Sequence, residues 1–185
     1  MSASRDDVLV VAATRAEAAH VPPGLPLVIT GLGKTHAAAA TARALASYDD
    51  PSHVTVVNIG TAGALRPGLT GMHEPGVVLN HDISADVIRA LGYDPRERLE
   101  IGGSEIVLAT GDVFVTDPAV RDLLAQRAHL VDMEGYAVAW AALAAGARVR
   151  LVKHVSDAAD AGAMDWPTLV EASAVELGTW LESSL

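Results

Sequence analysis

The sequence predicts a three-layer α/β/α domain built around a central sheet that is mostly parallel or mixed. Short apolar runs of strand length recur along the chain, Ala-rich stretches with good helix propensity lie between them, and glycine-containing turns mark the junctions. Val8 to Ala13 is continuously apolar, the pattern of a strand buried on both faces. Further β-branched runs at Leu27 to Thr30, Val54 to Ile59, Gly76 to Leu79, Ile106 to Ala109 and Val149 to Val155 predict the other strands. His36 to Ser47, Ala119 to Arg127, Tyr136 to Ala145 and Pro167 to Ser183 predict the helices. This βαβ-like alternation gathers ligand chemistry where loops leave the carboxyl ends of parallel strands. Pro22-Pro23-Gly24 and Pro95 to Arg98 read as surface loops. With no internal repeat and no Ser- or Gly-rich linker, residues 1–185 are expected to form one domain.

Composition narrows the function classes. Half of the 185 residues are hydrophobic and only 19% are charged, which excludes a weakly apolar, highly charged disordered chain. Thirteen Lys+Arg against 23 Asp+Glu give a formal charge of −10, which argues against a broad phosphate-backbone contact surface and for a small, locally bound substrate. Aromatic residues make up 4%, too few for a platform that stacks nucleic-acid bases. The absence of cysteine removes disulfides, thiolate nucleophiles and Cys-ligated metal centres. Arg5, Asp6 and Asp7 precede any apolar run, and no run reaches the ~18 apolar residues of a membrane helix, so a soluble, cytoplasmic protein is expected.

Two motifs mislead. Gly31-Leu32-Gly33-Lys34-Thr35 joins a strand to a helix, as phosphate-cradling loops do. A Walker A loop, however, needs glycine at Val28, and a dinucleotide fingerprint needs it at His36, so the glycines are read as a tight strand-to-helix turn. His73, His81 and Asp82 lack the spacing of a metal site, and neither a metal nor another cofactor is expected. Trp140, Trp166 and Trp180 are assigned to the core.

Three carboxylates sit at junctions: Glu17 after the first strand, Glu134 after Leu130 to Asp132, and Asp157 after Val149 to Val155. Each also has a local role open to it. Thr14 to Glu17 spells a capping box at a helix start, Glu134 precedes a helix and suits the positive end of its dipole, and Asp157 follows Ser156 as turn residues do.

Five ordered segments carry a family resemblance: Thr30-Gly31-Leu32-Gly33-Lys34, Asn58-Ile59-Gly60-Thr61-Ala62-Gly63, Gly111-Asp112-Val113-Phe114, Val131-Asp132-Met133-Glu134-Gly135 and Val155-Ser156-Asp157-Ala158-Ala159-Asp160. From about Val8 to Leu177 the chain resembles the purine nucleoside phosphorylase/nucleosidase family, above all its methylthioadenosine/S-adenosylhomocysteine nucleosidase branch. The resemblance implies a nucleoside phosphorylase-like fold, a small-molecule nucleoside as partner and a homodimer. It implies hydrolysis of the N-ribosidic bond of a 5′-modified adenosine, releasing adenine. Asp157, assisted by Ser156, would protonate purine N7, and Glu17 would activate the attacking water. Glu134 would bind the ribose hydroxyls, with Met133 packed on the sugar, and Thr61, Ala62 and Gly63 would also bind the substrate. Phe114 would stack on the base while the Val115 backbone reads its edge.

The same resemblance leaves other activities open. Phosphorylases of the family carry an arginine where this chain has Asn58, which favours water over phosphate unless Arg15 or Arg66 substitutes. Futalosine hydrolases and other relatives acting on 6-oxo purines tend to carry Asn at the Asp157 position, so the aspartate favours adenine. A nucleoside-binding protein of this fold without activity is a third reading. Relatives place paired strands between the Glu17 and Gly31 motifs and a helix between the Tyr93 and Thr110 regions; this chain is shorter at both. It also has Thr14 where close relatives have methionine, and Lys153 where they have arginine.

Overall fold

The computed structural model describes residues 8–185; the charged start Met1–Asp7, which entered the expectation of a soluble, cytoplasmic protein, lies outside them. A mixed nine-stranded sheet forms the middle layer. Strand β1 (Val8–Ala12) pairs in parallel with β2 (Leu27–Ile29) and β3 (Thr55–Ala64), and β3 pairs in parallel with β9 (Arg148–Asp157). A second parallel group joins β5 (Pro75–Asn80), β7 (Ser104–Thr110) and β8 (Leu130–Asp132). The last residues of β3 link the halves, because Gly63 and Ala64 leave β1 behind and pair antiparallel with Val131 and Leu130. Short β4 (Met72–His73) and β6 (Arg98–Glu100) close the edges antiparallel to β9 and β5.

The helices flank this sheet as the apolar pattern requires. Helix α4 (Gly135–Ala144) is apolar all round and buried along most of its length, so it lies against the sheet with α1 (Lys34–Leu45) beside it. Ala37, Ala40 and Ala137 permit that close approach, and Leu45, Leu108, Leu130 and Leu151 fill the shared core. On the opposite face α5 (Trp166–Ser184) buries Leu177 and Leu181 against Val8, Val10, Ile59 and Val152. A Cβ at Gly178 would collide with the His20 carbonyl, so this glycine lets α5 press on the segment that carries Glu17. Helix α3 (Pro118–Leu124) sets Leu124 against the core of the β5–β7–β8 half, and α2 (Ala85–Ala90), which buries no residue, follows β5.

The structure departs from the sequence reading in several places. Segments β4, β6 and α2, two to six residues each, carry too few residues to show a period and are absent from the sequence reading. β3 continues past Ile59, where the sequence reading ends the strand, through Gly60-Thr61-Ala62-Gly63. Thr14 to His20 form turns, not the start of a helix, and Pro22-Pro23 follow at once. No helix among the described residues is long and apolar enough to cross a membrane.

Candidate active site

The site forms where β3 changes partner. Its register against β9 shifts at Ala62 and Gly63, so that Gly63 pairs with Asp157 and Ser156 is the extra residue. Such a bulge re-aims the side chains on either side of it. A Cβ on Gly63 would stand 3.0 Å from an Asp157 carboxylate oxygen, so the bulge keeps that wall open. Asp157 itself is fixed at both oxygens: Oδ1 accepts the Ala159 N–H at 2.9 Å and Oδ2 accepts the Ser156 hydroxyl at 2.7 Å. Ala159 reaches that position with a φ of 49°, a left-handed conformation unusual for a residue with a Cβ.

Glu17 is held from two sides. Its Oε2 accepts the Thr14 N–H at 3.1 Å and hydroxyl at 2.9 Å, and the Thr14 hydroxyl oxygen accepts the Glu17 N–H at 3.2 Å. This is the reciprocal capping-box pattern, formed here on a turn. Its other oxygen, Oε1, faces β3 and accepts the Thr61 N–H at 2.9 Å and the Thr61 hydroxyl at 3.0 Å. The local role and the site role therefore use different oxygens of one buried carboxylate.

Glu134 stands at the N-cap of α4 but makes no cap bond there. Asp132 accepts the Gly135 N–H instead, at 2.8 Å. Glu134 turns to the start of α1 and accepts the Gly33 N–H at 2.8 Å, while Asp112 accepts the Lys34 N–H at 2.8 Å. The Gly31-Leu32-Gly33 turn thus presents its helix terminus to carboxylates of this chain. Lys34 also binds Asn80 and Asp82, and Asp82 accepts the Asp112 N–H, tying down the start of the loop that carries Phe114.

All ten residues singled out in the sequence line one cavity: Glu17, Thr61, Ala62 and Gly63 on one side, Phe114, Val115, Met133 and Glu134 on another, and Ser156 with Asp157 at the bulge. Larger hollows of about 660 and 500 Å³ occur elsewhere, but the first holds none of the three carboxylates and the second only Asp157. No arginine is among the residues that line the shared cavity. Arg15 is exposed, and Arg66 is bound to the Ala125 and Ala128 carbonyls and to His129. Asn58 is buried in the sheet and donates to the Val11 carbonyl at 3.0 Å, so it does not face the cavity. Among the described residues no cluster of three or more His, Asp or Glu side chains is arranged for a metal, and Asp82 is engaged with Lys34.

Sequence reasoning missed Lys153 and Trp166. Lys153 is 1% exposed and pairs with Asp132 at 2.9 Å. Burial would push its ammonium down, but Asp132, with Glu134 and Glu17 beyond, carries it above the ordinary lysine range. A point on Gly60 where a Cβ would stand lies 3.0 Å from Glu17 Oε1 and 3.3 Å from Lys153 Nζ, so acid and cation face each other across this glycine. The signal was available: a lysine in the middle of an apolar central strand demands a buried anion. Trp166, assigned to the core, instead lines the cavity, and Trp140 lies partly exposed against Tyr136 and Arg96.

Burial first, and then the neighbouring Asp132, push Glu134 up to about 7 from the ordinary carboxyl value of 4.5. A carboxyl whose folded pKa is raised adds stability that is complete below the unfolded value and is lost as pH rises to the folded one. Glu134 therefore withdraws about 3 kcal/mol between pH 4.5 and about 7. The difference in urea unfolding free energy between the wild type and Glu134→Gln is expected to fall across this window. A pH-independent difference would show that Glu134 ionises normally.

The fold defines the class, a nucleoside phosphorylase-like α/β protein. Residues 89–177 match the family model of the Phosphorylase superfamily. In solved structures the chain is similar to Helicobacter pylori 5′-methylthioadenosine/S-adenosylhomocysteine nucleosidase, at 21% identity and a TM-score of 0.84, covering 100% of this chain and 98% of the other. Futalosine hydrolase of Helicobacter pylori gives 21% identity and a TM-score of 0.82, with 96% of each chain covered. The 5′-methylthioadenosine/S-adenosylhomocysteine nucleosidase of Neisseria meningitidis gives 20% and 0.81, covering 96% of this chain and 99% of that one. No curated protein sequence matches significantly. The resemblance to the nucleoside phosphorylase/nucleosidase family stands, and likeness at these identities is a likeness of fold.

Proposed function

We propose that this protein is a purine nucleosidase that hydrolyses the N-ribosidic bond of a 5′-modified adenosine, of the methylthioadenosine or S-adenosylhomocysteine type, and releases adenine. The observation that carries the reading is the convergence of Glu17, Glu134 and Asp157 on one cavity that no arginine lines. Breaking C1′–N9 leaves positive charge on the ribosyl group and sends the electron pair into the purine. Asp157, held by Ser156 and Ala159, delivers a proton to N7, so the base leaves neutral. Water adds its oxygen to C1′ and gives its proton to Glu17. Solvent returns both carboxyls to their starting states. Glu134 accepts the ribose hydroxyls, and Phe114 and Val115 hold the base.

Phosphate as the nucleophile would call for a bidentate cation at C1′, and the cation under the site, Lys153, is already paired with Asp132. A product screen over methylthioadenosine, S-adenosylhomocysteine, adenosine and futalosine, with and without phosphate, tests the reading. Adenine and a free ribose derivative are expected in phosphate-free buffer. A requirement for phosphate with formation of a ribose 1-phosphate would overturn hydrolysis, and base release from futalosine alone would overturn adenine specificity.

A homodimer is part of the same proposal. Leu32, Val113 and Phe114 are 56%, 58% and 46% exposed at the cavity wall, an apolar surface continuous with the site that a second copy would cover. Light scattering is expected to give twice the 19.1 kDa chain mass. A mass of one chain at micromolar concentration would reject the dimer.

A further inference from the structure

The indole of Trp166 donates its N–H to the Thr61 hydroxyl oxygen at 2.8 Å, and that hydroxyl donates to Glu17 Oε1 at 3.0 Å. We propose that Trp166 is a positioning residue that fixes the direction of the Thr61 hydroxyl and so keeps its proton on Glu17. The inference rests on the reading of Glu17 as the water-activating base.

The argument is one of donors and acceptors. An indole N–H donates only, whereas a hydroxyl has one proton and two lone pairs. With one lone pair taken by Trp166, the Thr61 proton turns to the carboxylate, and successive hydrogen bonds of this kind polarise one another. The Thr61 N–H on β3 and the N–H and hydroxyl of Thr14, three residues away, supply the other donors to Glu17, and the Thr14 hydroxyl is itself held by accepting the Glu17 N–H. Of these donors to Glu17, the Thr61 hydroxyl is the rotor that lines the cavity, and the group that sets it is the Trp166 indole. Trp166 opens α5 after the short turn Ala161–Asp165, and that segment begins at the strand end bearing Asp157. The stretch from Asp157 to Trp166 thus carries the acid at one end and steadies the base at the other.

The charged groups facing Glu17 are Lys153 on β9 and Glu134 at the start of α4, and His20 pairs with Glu171 of α5 on the outer surface. None changes when the indole N–H is deleted. Without that N–H the Thr61 rotor is released, the carboxylate loses an aligned donor, and the acid limb of the kcat/KM profile moves to higher pH.

The test compares pH profiles of kcat/KM for wild type, Trp166→Phe and Thr61→Val on a nucleoside the wild type turns over. A benzothienylalanine at position 166, which keeps the ring shape and deletes only the N–H, covers the case in which Trp166→Phe does not fold. The acid limb is expected to shift alike in the position-166 variants and in Thr61→Val, with no further shift when the changes are combined. A raised KM with an unmoved limb would make Trp166 a wall of the substrate pocket and overturn the proposal. Glu17→Gln is the control: a wild-type rate in that variant ends the reading of Glu17 as base, whereas loss of rate with superimposable wild-type and position-166 profiles ends the Trp166 proposal alone.

Discussion

Asp157→Asn is expected to lower turnover by at least ~100-fold, the lower bound for losing a general acid. The substitution isolates the chemistry. Asparagine keeps an oxygen for the Ala159 N–H, now accepted at 2.9 Å, and Ser156 can rotate its hydroxyl to accept from the new amide. The turn with Ala159 at a φ of 49° then persists, and the cavity keeps its shape. What disappears is the group that, in the proposed mechanism, passes a proton to N7 and takes one back from solvent. Glu17→Gln should cost as much in rate, but it is the less clean variant. Four N–H and O–H groups donate to the Glu17 carboxylate, and a glutamine amide nitrogen would have to face some of them. Its unfolding midpoint therefore belongs beside its rate. Wild-type turnover of methylthioadenosine by folded Asp157→Asn would remove Asp157 as the acid.

Much of this site was legible because its residues are punctuation in the chain. Glu17, Glu134 and Asp157 each follow an apolar strand, and a carboxylate just past a strand of a sheet sits where cavities form. The core strand β1 was legible because the unbroken run Val8–Ala12 has no polar face to show. Other parts depend on contacts that no local pattern encodes. Glu134 stands beside the start of α4, yet its partner is Gly33, brought near by the packing of α1 on α4. The sequence reading ends β3 at Ile59, before Gly60 to Gly63, but the chain stays extended because β9 pairs along its length. Trp166 reads as core because its ring is apolar; its N–H meets Thr61 only after α5 folds back on β3. Lys153 and Asp132 come from strands that are not neighbours, and their pairing follows from the change of partner along β3.

That pair gives the largest stability effect expected in the molecule. Asp132 accepts the Thr110 hydroxyl at 2.6 Å, the Gly135 N–H at 2.8 Å and the Lys153 ammonium at 2.9 Å. Lys153 is 1% exposed, so it has no recourse to water when its partner is removed. Asp132→Asn leaves a buried cation facing a neutral amide and is expected to cost ~3–5 kcal/mol. For a chain of this size each kcal/mol lowers Tm by about 2–4 °C, so the midpoint should fall by roughly 10 °C. The double variant Asp132→Asn with Lys153→Met removes the stranded charge along with its partner. It should lose less than the sum of the single changes, because a buried pair gives back its desolvation cost when both ions go. The effect reaches the chemistry as well. Glu17 and Lys153 approach one another across Gly60, so an unpaired Lys153 becomes a competing cation for the Glu17 carboxylate and draws it off Thr61. A loss of less than ~1 kcal/mol in Asp132→Asn would mean that the ammonium reaches solvent, and the buried floor assigned to this site would then be wrong.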